Sequence, residues 1–264
     1  MGTSYATVND VASVLTLPAT ATLKNTVNVG ETTLTTTQVV NITPGALLLV
    51  GYKGQVSELA TVLSASGDTI TLQDPLSVQH GTGTILLDVT PFPDVVEAAS
   101  RLVDDLTLTP AEGWAYADHI QETHRVKVDR NGDLTFSVNR TPVSAVQAIS
   151  YQGMPFEDVY NIAPERAWFE DGSYIVHVLT GWDVPSTPFV RAKVTVTYTG
   201  GYTPETMPAD IKRSTAMLAA RLWKEKDSGY SDVIGNTDFG ILQYTQAAPK
   251  DVLAMLQRHK RVSL

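Results

Sequence analysis

The last quarter of the chain carries the pattern that most constrains its fold. Residues 190–199 alternate between apolar and polar types and predict a β-strand, which ends at the double glycine Gly200 and Gly201. Two prolines follow, and residues 208–226 predict a long amphipathic helix. About twenty polar and glycine-containing residues then lead to a short second helix near Pro249 and to a basic segment.

Two further helices are predicted in the first half of the chain. Thr7, with Asp10 three residues later, forms a capping-box pattern at the start of a short helix over residues 7–15. After a Pro-Phe-Pro segment, residues 95–106 predict a second helix with an apolar stripe on one side. Asp104 is expected on the opposite, polar side of this helix.

Between these two helices, residues 18–90 predict a separate β-module. The segment is rich in Thr, Val, Leu and Gly, and turn signals divide it into short runs. Short strands at this spacing indicate a small β-barrel or sandwich. The predicted strands are residues 21–27, 38–42, 46–52, 57–64, 69–73 and 84–89.

Residues 114–200 predict a second β-rich region. Asn131 and Gly132 lie between two alternating runs within residues 126–138, and an Asn-Gly pair in this setting is the strongest short-range signal for a hairpin. Further strands are predicted at residues 143–151, 173–179 and 190–199.

This order of segments resembles the head-tail connector proteins of tailed bacteriophages, also called head-completion or adaptor proteins. The likeness covers residues 5–15 and 91–264, so residues 18–90 look like an insertion between two helices that follow one another in the family. The resemblance implies an α+β fold with a small helical connector core, an inserted β-barrel-like or sandwich-like module, and a second β-rich region. The expected divisions are residues 1–17 with 91–113 for the N-terminal helices, 18–90 for the inserted module, 114–206 for the second β-rich region, and 207–264 for the C-terminal helices, loop and basic tail.

The resemblance also implies a structural protein of the virion and not an enzyme. Connector proteins of this kind form a homo-oligomeric ring, a dodecamer where the ring copies the symmetry of the portal. Such a ring binds the portal protein, prolongs the DNA channel and offers a docking face to a stopper or tail-completion protein. DNA passes through the channel without sequence-specific binding, and no cofactor or membrane is involved. The implied location is the head-tail interface of the virion, after assembly in the host cytoplasm.

The distribution of charge argues against a free DNA-binding protein. The net charge is −9, with 10 basic and 22 acidic groups in residues 1–206 and 9 basic and 6 acidic groups in residues 207–264. Because duplex binders gain affinity by neutralising phosphates, most of this chain is expected to repel DNA. Such acidity suits a conduit through which DNA slides, although it is also common in proteins that bind nothing charged. The sequence has no cysteine, no apolar run long enough to span a bilayer and no signal-peptide pattern.

One acidic motif resembles a metal site but favours a simpler interpretation. Asp129, Asn131 and Asp133 have the spacing of the start of a calcium loop. The position that requires glycine is occupied by Leu134, and the closing acidic position by Arg140. A plain turn is therefore predicted at this place.

Motifs for catalysis or nucleotide binding are equally weak. His119 and His124 form a loosely spaced pair, and the strand pattern predicts surface or strand-end positions for both. The acidic pairs at residues 104–105 and 157–158 are expected at exposed positions. The sequence contains no Gly-x-Ser-x-Gly elbow and no phosphate-binding loop.

The candidate portal and intersubunit contacts lie at the C-terminal end. The helix over residues 208–226 serves either as an internal core helix or as an intersubunit contact. Residues 227–248 are too apolar for a solvated linker, so they either dock on a neighbouring subunit, project toward the channel, or fold over their own core. The basic tail is either a solvated helix end that complements the helix dipole or a contact to an acidic portal surface. The candidate residues are Tyr230, Ile234, Phe239, Ile241, Leu242, Tyr244, Arg258, Lys260 and Arg261.

Two other functions remain open from the sequence. The first is a different phage structural or surface β-module that binds a protein or a glycan. Trp114, Trp168 or Trp182 would suit glycan binding if exposed, although buried tryptophans are commoner. The second is a hydrolase, which would need a deep pocket with shifted carboxylate pKa values.

Overall fold

The structure is a computed structural model that describes residues 4–153, 158–180, 191–227, 233–236, 241–244 and 248–261. Over these residues the fold is α+β, as predicted, with four α-helices and antiparallel sheets of six, four, three and two strands. None of the described helices is long and apolar enough to cross a bilayer. The chain divides into two compact units. The first unit comprises Met1–Tyr5, Ser100–Ile211 and Leu253–Leu264, and the second comprises Ala6–Ala99 and Lys212–Val252.

The second unit begins with helix α1, Val8–Val14, and continues with a six-stranded half-barrel. Helix α1 has the predicted capping box, because Thr7 Oγ1 accepts from the Asp10 amide at 3.2 Å and the Asp10 carboxylate accepts from the Thr7 amide at 2.7 Å. The strands are β1 Ala21–Thr22, β2 Thr33–Thr35, β3 Leu47–Val50, β4 Glu58–Ser66, β5 Thr69–Leu72 and β6 Ile85–Asp88. Their hydrogen-bonded order is β1-β6-β3-β4-β5-β2, and an antiparallel bridge from Leu23 to Thr36 links the residues that follow the two edge strands.

The half-barrel confirms five of the six predicted strands, most of them shorter than expected, and shows that the predicted strand at residues 38–42 is wrong. The edge strand is Thr33–Thr35, which pairs with β5. Beyond it, the amides of Thr36 and Val40 bond to the carbonyls of Asp68 and Gly67, so this part of the chain crosses the β4–β5 turn as a loop. The alternating apolar and polar residues of this Thr-rich segment therefore predicted the edge strand a few residues too late in the sequence. The core of the half-barrel consists of fully buried aliphatic side chains, among them Leu23, Leu34, Leu48, Ile70 and Leu86.

Helix α2, Phe92–Thr107, follows the half-barrel. It begins three residues earlier than predicted and includes Pro93 in its first turn. A proline is tolerated there because the amides of the first turn have no hydrogen-bond partner within the helix. Val96, Ala99 and Val103 are buried, which confirms the predicted apolar stripe. Asp104 is also buried, so its predicted exposed position is wrong.

The first unit contains seven strands arranged in two sheets. They are β7 Ala117–Lys127, β8 Leu134–Ser137, β9 Val143–Gln152, β10 Val159–Ile162, β11 Ala167–Trp168, β12 Ile175–Val178 and β13 Arg191–Gly200. One sheet has the order β10-β9-β13-β7 and the other the order β11-β12-β8. Buried residues of both sheets form one core, as in a β-sandwich.

The Asn131-Gly132 turn is present, but the predicted hairpin is wrong. Gly132 has φ of 90°, and the Asp129 carboxylate accepts from the amides of Asn131 and Asp133 at 2.7 and 2.8 Å. The two flanking strands belong to different sheets, since β7 pairs with β13 and β8 pairs with β12. The Asp129 carboxylate therefore holds the turn that carries the chain from one sheet to the other.

The two C-terminal helices match the sequence prediction closely, but the predicted loop between them contains two strands. Helix α3 spans Ala209–Asp227, and helix α4 spans Lys250–Gln257. Ile211, Leu218 and Ala219 are buried on α3, as expected for its apolar side. Between the helices lie two short strands, β14 Val233–Asn236 and β15 Ile241–Tyr244.

Candidate assembly interface

The nine residues predicted from the sequence fall into three groups. Ile234, Ile241, Leu242 and Tyr244 lie on strands β14 and β15, which pair as a two-stranded antiparallel ribbon. Arg258, Lys260 and Arg261 lie in the tail after helix α4. Tyr230 and Phe239 lie outside the described residues.

The ribbon forms a sheet of its own within the described part of the chain. Its register pairs Val233 with Tyr244 and Gly235 with Leu242, so these four positions share one face. Three of the four residue types are apolar. A two-stranded ribbon is marginally stable in water, so a ribbon of this composition gains stability when one face is covered.

The basic tail turns back onto the first unit after α4. Arg258 pairs with Asp210 at 3.4 Å but keeps 71% of its side chain exposed. The His259 ring packs edge-on against Trp114, with ring centroids 5.6 Å apart. Lys260 is exposed to solvent. The tail thus presents two cations at the surface while its histidine contacts the body of the unit.

Arg261 differs from these two cations because it is only 8% exposed. Its guanidinium donates to the carbonyl oxygens of Val138 and Asn139 at 2.8 and 2.6 Å and lies over the Tyr174 ring at 4.5 Å. Its own amide donates to the carbonyl of Thr107 at 2.9 Å. Burial lowers the pKa of Arg261. Arg261 therefore anchors the tail to its own chain, and Arg258 and Lys260 remain the tail cations that face solvent.

A buried polar network that the sequence did not reveal lies in the same unit. The Tyr5 hydroxyl donates to Asp104 Oδ1 at 2.6 Å, and the Glu112 amide donates to Asp104 Oδ2 at 2.9 Å. Trp114 is 5% exposed, and its indole donates to the Thr107 hydroxyl at 3.2 Å. No local pattern distinguishes Asp104 from the neighbouring acid at position 105, so only the packed structure reveals this network.

Burial raises the pKa of Asp104 to about 6, although the hydrogen bonds from Tyr5 and Glu112 act in the opposite direction. Burial and the bond to this carboxyl also raise the pKa of Tyr5. In a second network, burial alone would raise the pKa of Glu122, but hydrogen bonds from His124, Tyr198 and the Asn139 amide outweigh it and lower the value. Both carboxyls lie within the fold, where their hydrogen bonds connect distant segments of the unit.

The variant Asp104→Asn is expected to remove part of the pH dependence of stability. An acid whose folded pKa is raised stabilises the fold fully below its unfolded pKa and loses this contribution as the pH rises through the folded pKa. Between about pH 4 and about pH 6, the free energy of unfolding of the wild type should therefore fall by about 1–2 kcal/mol relative to the variant. Urea unfolding across this window measures the difference. The exposed Asp74→Asn variant serves as the control, and equal pH profiles for wild type and Asp104→Asn would contradict the prediction.

A cleft of about 230 Å³ lies in the second unit, beside helix α1. Tyr52 lines the cleft, and its hydroxyl donates to the Leu15 carbonyl at 2.5 Å. Its lining includes amide, hydroxyl and apolar groups and one cation, Lys53, but no carboxylate. The cleft therefore offers no carboxylate pair of the kind that glycoside hydrolysis uses. Among the residues described, no group of three or more His, Asp or Glu side chains is arranged to hold a metal ion.

Comparison with protein families adds a decisive observation. The family model described as "Head completion protein" matches residues 87–262, which is two thirds of the chain. The chain belongs to the head completion protein family. It is a structural protein of the phage head-tail region, which confirms the resemblance read from the order of its segments.

Similar solved structures come from gene transfer agent particles. The neck of an empty particle computed with C6 symmetry contains a chain of 16% identity, with a TM-score of 0.41 and coverage of 66% of this chain and 78% of that one. The neck of a native particle computed with C12 symmetry contains a chain of 18% identity, with a TM-score of 0.39 and coverage of 67% and 85%. A search of curated proteins finds no match.

Proposed function

We propose that this head completion protein forms a homo-oligomeric ring that binds the portal protein, prolongs the DNA channel and offers a docking face to a stopper or tail-completion protein. The observation that supports this proposal is the family match, because its range of residues 87–262 includes the long helix α3, the ribbon and the tail. The work of such a ring is mechanical and requires no cofactor. Assembly takes place in the host cytoplasm, and the finished ring lies at the head-tail interface of the virion.

Contacts between copies are assigned to the ribbon. In a closed ring each subunit uses two different surfaces, one toward each neighbour. An apolar ribbon face that gains stability when covered suits one of these surfaces, and Leu242 and Tyr244 lie on that face.

Contact with the portal is assigned to Arg258 and Lys260. Both are exposed, and both follow helix α4, where cations are also favourable for the helix dipole. Arg261 has a different role, since it holds this segment in place from inside the unit. An acidic surface on the portal is the partner that complements these two cations.

Electron microscopy of the protein mixed with its cognate portal tests the proposal. A ring stacked on the portal is the expected result. The double variant Arg258→Gln/Lys260→Gln should bind the portal about tenfold more weakly at moderate salt, because each exposed ion pair contributes up to about 1 kcal/mol. The variant Lys24→Gln/Lys53→Gln, with the same change in net charge, should bind normally. A portal that stays bare at high protein concentration would refute the proposal.

One observation favours a second candidate, a β-module that binds glycans. Trp168 is 47% exposed and stacks on His177 with ring centroids 4.0 Å apart, and His177 Nδ1 lies 2.9 Å from the Thr135 hydroxyl. An aromatic ring held flat at the surface can stack on a sugar. Trp114 is buried and cannot act in this way, and Trp182 lies outside the described residues. Glycan binding that is lost in Trp168→Ala, without ring formation on portals, would favour this alternative.

A further inference from the structure

The four-stranded sheet of the first unit has an outward face whose composition differs from that of the rest of the protein. Ala192, Val194 and Val196 of strand β13 point into the core. The alternate positions of β13 and of its neighbours β7, β9 and β10 therefore face outward. The Thr123 and Thr195 hydroxyls, 3.0 Å apart across β7 and β13, confirm that paired residues share this face.

Four cations are grouped at one end of this face. The register places Arg125 opposite Lys193 and Lys127 opposite Arg191, and all four side chains are exposed. Adjacent strands are about 5 Å apart and alternate residues of a strand are about 7 Å apart, so the backbone positions of the four cations form one compact patch. Residues 1–206 contain only ten basic residues, and four of them are gathered here in a chain of net charge −9.

Most of the other outward positions carry neutral side chains, and many of these can form hydrogen bonds. One acid, Asp118 of β7, also lies on this face, because its carboxylate accepts a bond from the hydroxyl of Thr199 on β13. It is seven residues along β7 from Arg125, at the end of the face away from the four cations. The neutral outward residues are Gln121, Thr123, Ala148, Ser150, Gln152, Val159, Asn161, Thr195 and Thr197.

We propose that this face, named here the basic sheet face and consisting of the four cations with the neighbouring outward Ser, Thr, Asn and Gln side chains, binds the phosphate backbone of duplex DNA. Lys and Arg with hydroxyl and amide side chains are the groups that contact phosphates without reading sequence. The outward positions paired with the four cations hold no acid, and such a group fits a uniform polyanion better than a protein surface, on which both signs of charge are mixed. The inference rests on the proposed function for its biological setting, which is the DNA that passes the head-tail junction.

Fluorescence anisotropy with a labelled random-sequence duplex of about 30 base pairs tests the inference on the full chain. Four neutralised phosphates predict a slope of about −3.6 for the logarithm of affinity against the logarithm of salt concentration. Affinity should therefore fall on the order of 100-fold between about 50 and about 200 mM salt. The quadruple variant Arg125→Gln/Lys127→Gln/Arg191→Gln/Lys193→Gln should bind at least tenfold more weakly at the lower salt concentration, with a slope near zero. Circular dichroism confirms that the variant is folded.

A control variant carries the same change in net charge at exposed positions outside the basic sheet face: Lys24→Gln/Lys53→Gln/Arg101→Gln/Lys250→Gln. It should retain the affinity and the slope of the wild type. Equal loss in both quadruple variants would overturn the inference, because net charge and not the basic sheet face would then explain binding. DNA binding unchanged in the first variant, with loss of portal binding, would also overturn it in favour of an acidic protein partner. Failure of ring assembly in a protein that still binds DNA through this face would refute only the proposed function.

Discussion

The variant Gly201→Ala is expected to lower the free energy of unfolding by about 3 kcal/mol or more. Gly201 has φ of 88°, a region that L-residues rarely adopt, and a Cβ atom at this position would lie 2.0 Å from the Ala115 carbonyl oxygen. The obstacle is backbone, fixed by hydrogen bonds from the Gly201 amide to Pro142 and from the Tyr202 amide to Trp114, both at 2.8 Å. The close approach can be relieved only by moving two segments of the first unit apart.

The variant Gly172→Ala separates the two causes of this loss. Gly172 has a similar φ of 78°, but no atom lies within 4 Å of the position that its Cβ would occupy. Its replacement should cost only the backbone strain, about 1–2 kcal/mol. Urea unfolding of both variants measures the difference, and equal losses would show that the contact with Ala115 is readily relieved.

The double glycine also illustrates the limit of sequence-based reasoning. The sequence predicts a turn at Gly200 and Gly201, and the structure confirms that strand β13 ends there. Beyond the positive φ that a turn can require, the need for glycine comes from Ala115, far away along the chain, and no local pattern reveals this contact.

Local patterns predicted most of the secondary structure. The capping box at Thr7, the amphipathic helices α2 and α3 and five strands of the half-barrel follow from periodicity and turn residues, and the structure confirms them. The errors arise where strand pairing is decided by tertiary contacts. The Asn131-Gly132 turn has the right residues for a hairpin, yet its two strands find better partners in β13 and β12.

For the candidate interface, too, local patterns revealed some features, while tertiary contacts decided others. The apolar content between α3 and α4 and the basic tail were visible in the sequence. The burial of Arg261 depends on carbonyls of Val138 and Asn139, more than a hundred residues earlier, and was not visible. The four cations of the basic sheet face come together only because β7 pairs with β13. The negative total charge of residues 1–206 therefore gave no sign of this local excess of cations.

Deletion of residues 235–243 is expected to abolish ring formation on the portal and to leave a folded monomer. The deletion removes most of the ribbon, whose strands pair only with each other among the four sheets described. A milder variant, Leu242→Asp/Tyr244→Asp, places two acids on one face of the ribbon. It should reduce the number of portal-bound rings at least tenfold, because a buried unpaired charge is strongly unfavourable at an interface. Electron microscopy counts the rings, and circular dichroism checks the fold.

Two exposed valines of the second unit provide the matched control for the ribbon. Val29 and Val39 are 62% and 78% exposed, so Val29→Asp/Val39→Asp adds the same charge to solvated positions. This control should form rings like the wild type. If the ribbon instead lies against its own chain, the acids at Leu242 and Tyr244 would lower the melting temperature of the isolated monomer and leave ring formation by the folded fraction unchanged. If a neighbour covers the ribbon face, the acids lower the ring count and leave the stability of the monomer unchanged, because such a face contributes nothing to the fold of a single copy. If the chain's own residues cover it, the acids lower the stability of the monomer and leave the ring count unchanged.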